Sequence, residues 1–174
     1  MRQMKKVALT TIAIAFTVAS SITLTSCGSG PNAETRKTNR VTDGAEAVIN
    51  SDGSDIRVSN LVLVATEDGA AVLVGQIVNR ADVADEILGI TVGGIGATIT
   101  GEKKLLSNKP IHFEGEQANA KAVFAGVNPV AGTTVDLMIG FARAGLVTTR
   151  VIIRDQRDIY AGITSGAKLE TAAR

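Results

Sequence analysis

Few side chains in this 174-residue chain can do chemistry, and their spacing limits what that chemistry is. There is one cysteine, Cys27, one histidine, His112, and three methionines, Met1, Met4 and Met138. A soft ion such as Cu(I) is held by thiolate, thioether and imidazole donors, and past residue 27 the chain offers only His112 and Met138, on separate predicted strands. Nucleophilic catalysis needs a base beside a Ser, Thr or Cys, but His112 sits between Ile111 and Phe113 with no Gly-x-Ser-x-Gly partner. Asp82, Asp85 and Glu86 gather three carboxylates, the raw material of an acid–base pair, in a stretch polar enough to be a solvated turn. Lys103, Lys104 and Lys109 would suit an acidic wall polymer, or serve solubility alone. Gly93-Gly94-Ile95-Gly96 lies between predicted strands with no helix start to receive a phosphate, so it reads as a turn. No set of residues supports a named reaction, and the expectation is a protein that is not an enzyme and needs no cofactor.

The cysteine has a different context. Residues 1–26 read as an export signal: Arg2, Lys5 and Lys6, then an apolar run over residues 7–19, then small residues. That run is shorter than the ~20 residues a spanning helix needs. It ends in Leu24-Thr25-Ser26-Cys27, which resembles the lipobox of bacterial lipoproteins. The resemblance implies cleavage between Ser26 and Cys27 and a diacylglyceryl group, with palmitate-type chains, on the Cys27 thiol. Two acyl chains hold stably where one binds marginally, since each buried CH₂ contributes ~0.8 kcal/mol. The expected location is the extracytoplasmic face of the cell membrane, with lipid as the first partner through Cys27. With its one thiol committed, the mature chain forms no disulfide.

Removing residues 1–26 takes away three of 18 basic residues and none of 17 acidic ones, leaving a formal charge of −2. Near-neutrality argues against a grip on nucleic acid. Aromatics are 3% of the chain and Trp is absent, so no stacking platform for bases or sugars is available. Residues 27–45 are Gly, Ser, Pro, Asn, Thr and charge, too polar to offset an ordering cost of ~1–2 kcal/mol per residue, and read as a disordered tether. The expected organisation is a signal peptide at 1–26, a lipidated tether at 27–45, a β-sandwich at 46–155 and a polar tail at 156–174, loosely attached with Ile159-Tyr160 docked.

The elements that must position these groups are short β-rich runs between turn residues. Strict alternation over residues 56–66 puts Ile56, Val58, Val62 and Val64 on one face and Leu61 and Leu63 on the other. Glu67-Asp68-Gly69 turns the chain into residues 71–78, with Val72, Val74 and Val78 opposite Leu73 and Ile77. Residues 79–86 suggest one helical turn, 101–110 a long loop, and 111–113 a short strand at a sheet edge because Pro110 lacks an N–H. The last hairpin sets Val135, Leu137, Ile139 and Phe141 against Val147, Val151 and Ile153 across Ala142-Arg143-Ala144-Gly145. Seven or eight such strands predict an all-β fold, an antiparallel sandwich of the immunoglobulin-like kind. Val→Asp at Val74 or Val151 is expected to unfold it.

Three places resemble the periplasmic copper chaperone family PCu(A)C: the strand end Ile77-Val78-Asn79, the segment Asp82-Val83-Ala84-Asp85-Glu86-Ile87-Leu88-Gly89-Ile90, and the hairpin over residues 132–153 with Phe141 and Gly145. With the lipobox, the whole is most similar to the actinobacterial LpqE-type lipoproteins. The resemblance implies a cupredoxin-like β-sandwich, and in the family a Cu(I) ion held by two His and two Met. Thr100 stands where the family's first His would be, and Lys121 and Val123 where its His-x-Met pair would be. The expected function is therefore a non-catalytic β-sandwich binding module on a membrane lipoprotein, with an envelope protein or wall polymer as partner. The alternative is a copper metallochaperone using His112 or Met138.

Overall fold

In the computed structural model, residues 43–166 are described. The signal sequence, the Ser26–Cys27 cleavage and lipidation site, nearly all of the tether, and residues 167–174 lie outside them. Eleven strands follow in chain order: β1 Ala45–Ser51, β2 Ser54–Ala65, β3 Ala71–Asn79, β4 Asp85–Val92, β5 Ile95–Gly96, β6 Thr98–Gly101, β7 Lys104–Leu105, β8 Ile111–Phe113, β9 Ala120–Phe124, β10 Thr134–Phe141 and β11 Gly145–Arg154. The one helical element among the described residues is a short 3-10 turn, Asp158–Tyr160.

The strands run in the order β5-β4-β10-β11-β2-β3-β8-β9-β6, with β1 beside β2 and β7 beside β4. β5 and β6 end this order at opposite sides yet are separated in the chain by Ala97 alone, whose N–H donates to Ile90 O at 2.8 Å. The sheet must therefore curl on itself, which gives two facing layers and the all-β sandwich expected from the pattern. The inner faces supply one core, with Ile90, Leu137, Ile139, Phe141 and Val151 from one layer and Leu63, Leu73, Ile77, Phe113 and Phe124 from the other. Each such side chain contributes ~1.5–3 kcal/mol on burial. The hairpins are antiparallel as predicted, whereas β11 meets β2 in parallel through Ile153 and Leu63, and β8 meets β9 in parallel. Face alternation does not encode which distant strand becomes a neighbour; closure of the sheet decides it.

Strict alternation fails in β2. Its register with β3 steps from Ser59↔Gln76 to Val62↔Val74, so Asn60 and Leu61 together face Gly75. Asn60 has a φ of 55° and Gly75 one of 129°. This bulge flips the parity: Ile56 and Val58 share the inner core with Leu61 and Leu63, while Val62 and Val64 turn outward with Val72. Only glycine fits opposite it, because a Cβ on Gly75 would lie 2.6 Å from Asn60 O. β4 repeats the device at Leu88, which lets Ile87 and Ile90 both face inward.

Three local expectations change. Residues 80–84 form bends rather than a helical turn, because the buried Asn79 amide donates to Val83 O at 2.8 Å and Leu105 O at 3.0 Å and so holds this stretch and β7 together. The lysine loop contains β7, whose Leu105 is fully buried. β8 is an interior strand between β3 and β9. Pro110 precedes its first residue, so no ladder donor is lost, and Asn119 Oδ1 takes the His112 N–H at 2.8 Å.

Candidate functional site

His112 and Met138 are not brought together. Each alternates with inward-facing neighbours, Ile111 and Phe113 for one and Leu137 and Ile139 for the other, so both side chains leave the outer surface. Their strands β8 and β10 are separated in the sheet by β11, β2 and β3. No group of three or more His, Cys, Asp or Glu that could hold a metal ion occurs among the described residues.

The acidic cluster also separates. Asp82 and Glu86 are exposed, while Asp85 is buried. Asp85 Oδ1 accepts from Glu86 N at 2.8 Å and Arg143 N at 2.9 Å, and Oδ2 accepts from Ala144 N at 2.9 Å. By accepting from three backbone N–H groups, this carboxylate fastens the β10–β11 turn to the start of β4. The same turn also gives its Ala142 N–H to Glu86 O. Lys103, Lys104 and Lys109 are exposed and lie before, in and after β7, with Lys104 paired in register with Glu86.

Thr100, Lys121 and Val123 do converge. β6 and β9 pair Thr100 with Lys121 and Thr98 with Val123. Because Ala120, Ala122 and Phe124 point inward, Lys121 and Val123 project from the outer face. Lys121 is only 3% exposed, and its Nζ lies 3.0 Å from Glu114 Oε1, itself 17% exposed. Glu114 and Gly115, with φ of 62° and 96°, bend the chain so that this carboxylate comes over β9. A hydroxyl, an ammonium and an isopropyl group do not fit a Cu(I) ion, which prefers soft, uncharged or anionic donors. The ammonium is itself the cation that balances Glu114.

Beside this pair the outer face is covered by residues 155–166, which cross it as a strap. Tyr160 and Ile163 pack with Val62, Val64, Val72, Val74, Val123 and Ile152 in a second, smaller cluster. Gln156 Nε2 donates to Ile163 O, Ser165 Oγ donates to Asp68, and Arg154 pairs with Asp43. Burial pushes the Tyr160 phenol above its ordinary range, while the Ser165 and Thr66 hydroxyls hold the Asp68 carboxyl below its own. Tyr160 is docked as the sequence predicts; its neighbour Ile159 is 85% exposed. Between the strap and residues 114–118 lies an open cleft of about 450 Å³, lined by Asn60, Val74, Glu114, Glu116, Tyr160 and Ile163 among others. Val74 is thus a cleft wall rather than inner core. The sequence signal for this site was Ile159, Tyr160 and Ile163 at short spacing in a polar tail, together with a Gly directly after Glu114.

No protein-family model matches the chain, and no curated protein does. Solved structures do. The apo PCuAC domain from PmoF1 aligns with a TM-score of 0.53 at 19% identity, over 63% of this chain and 98% of that one. The copper-bound PCuAC domain from PmoF2 gives 0.53 at 17%, over 63% and 97%, and the apo PmoF2 PCuAC domain 0.51 at 20%, over 66% and 97%. Almost the whole of each PCuAC domain is covered by the match, and the chain has the cupredoxin-like β-sandwich fold of those domains.

Proposed function

We propose that this protein is a lipid-anchored, extracytoplasmic binding module without catalytic function, which presents the outer face of β6 and β9 and the adjoining cleft to another envelope component. The anchoring part rests on the sequence of residues 1–27. The observation that carries the binding part is the Lys121–Glu114 pair: where the resemblance puts soft donors, the chain carries its own buried ammonium and a carboxylate to match it. Cross-linking in intact cells tests this reading, with one reproducible envelope partner expected. Failure to recover any specific partner, with wall assembly normal after deletion, counts against it.

A second reading is a copper metallochaperone of the PCuAC type, with Cu(I) as cargo. The fold comparison favours it over the first, because the matched domains are PCuAC domains and one of them is copper-bound. The side chains favour the first: the positions that the sequence resemblance matches to the family's ligands hold Thr100, Lys121 and Val123, and His112 and Met138 stand on separated strands. Cu(I) titration separates the two.

A further inference from the structure

Resting on the binding-module reading, we infer that the cleft between the strap and residues 114–118 takes an extended, lysine- or arginine-bearing peptide segment of the partner protein. Its volume of about 450 Å³ suits one or two side chains rather than a folded surface. Its walls are of two kinds. Val74, Ala118, Ile163 and the Tyr160 ring offer apolar contact for an aliphatic stem. The rim is acidic: Glu114 is already neutralised by Lys121, but Glu116 is exposed and makes no ion pair among the described residues, and Asp158 precedes Ile159 in the strap. The nearby basic groups are committed, Arg154 to Asp43 and Arg157 to Asp155. The unpaired charge is therefore negative, and a stem with a cationic head complements both walls, the more so where that head meets the face of Tyr160.

Ile159 marks the entrance. It stands 85% exposed at the cleft, on a turn where Asp158 holds a φ of 53°. Covering Ile159 with the peptide backbone removes its apolar surface from water at the point where the basic side chain enters.

The test uses the Cys27→Ser chain and a capped peptide of alternating Lys and Val, with an equivalent Glu and Val peptide and an all-Val peptide as controls. Tyr160 is the only Tyr and Trp is absent, so tyrosine fluorescence reads the strap alone. The expected result is a saturable change with the Lys peptide only, weakened by salt. Glu116→Gln should weaken it about 2–5-fold and Glu116→Lys about tenfold, as for a partly exposed ion pair, while Asp136→Asn on the opposite layer changes nothing. No saturable response at millimolar peptide overturns the inference, as does equal binding of the all-Val peptide, or a self-associated chain that Glu116→Lys dissociates. If cross-linking still recovers a partner, only the cleft assignment fails. If it recovers none and Cu(I) binds tightly, the binding-module reading fails as well.

Discussion

Truncating Asp85 to Ala removes three charge-assisted hydrogen bonds at once, and two of them join β4 to the β10–β11 turn. A hydrogen bond to a charged group is worth ~1.5–3 kcal/mol net. The freed N–H groups of Arg143 and Ala144 lie at a surface turn where water can replace part of what is lost, so each of the three bonds counts at about 1–1.3 kcal/mol, below that range, and Asp85→Ala should cost about 3–4 kcal/mol. For a domain of this size 1 kcal/mol corresponds to roughly 4 °C, so the thermal midpoint should fall by about 12–16 °C. Asp85→Asn keeps the volume but turns an NH₂ toward a backbone donor, and should lose about half as much. Asp82→Asn, on an exposed bend, should stay within about 0.5 kcal/mol of the parent. Thermal melts by circular dichroism give all three. A midpoint within about 2 °C of the parent for Asp85→Ala, equivalent to less than about 0.5 kcal/mol, refutes the account of this carboxylate as a fastener.

Gly75→Ala should cost at least about 2 kcal/mol by urea denaturation, because the new Cβ meets Asn60 O at a positive φ. Lys121→Met should cost about 2–3 kcal/mol by leaving Glu114 unpaired, somewhat below the value for a fully buried pair. The double variant Lys121→Met with Glu114→Gln should recover most of that loss. Tyr160 has its folded value raised, so its contribution to strap docking is complete below its ordinary value near 10 and is lost as pH rises through the folded value. Asp68 behaves in the opposite sense, its contribution present above the ordinary carboxylate value near 4 and lost as pH falls through the depressed one. Tyrosine fluorescence against pH should therefore show the strap docked across the neutral range.

The hairpins were legible because period two places Leu137, Ile139 and Phe141 on the buried side, and Gly69, Gly93 and Gly94 supply the positive φ that tight turns demand. The bulge at Asn60 was not, since nothing in residues 56–66 marks an extra residue; the signal was the distant Gly75 that accommodates it. Pro110 points to an edge for β8, yet it stands one residue before the ladder, and β8 lies between β3 and β9. Of the candidate site, the positions of Thr100, Lys121 and Val123 were named from the sequence, and the structure places them side by side. The Lys121–Glu114 pair and the cleft could not be read in advance. They depend on a strap and a loop that meet only after the sheet has curled, and an ionisable side chain looks the same in sequence whether it is solvated or buried.

What we propose, above all, is that this chain is not a copper chaperone, the outer face of β6 and β9 being filled by its own Lys121 cation and His112 and Met138 standing apart. Titration of the Cys27→Ser chain with Cu(I), against a chromophoric competitor, tests it most directly. No saturable binding tighter than micromolar is expected. One equivalent bound more tightly than that, and lost in His112→Ala or Met138→Ala, would contradict it.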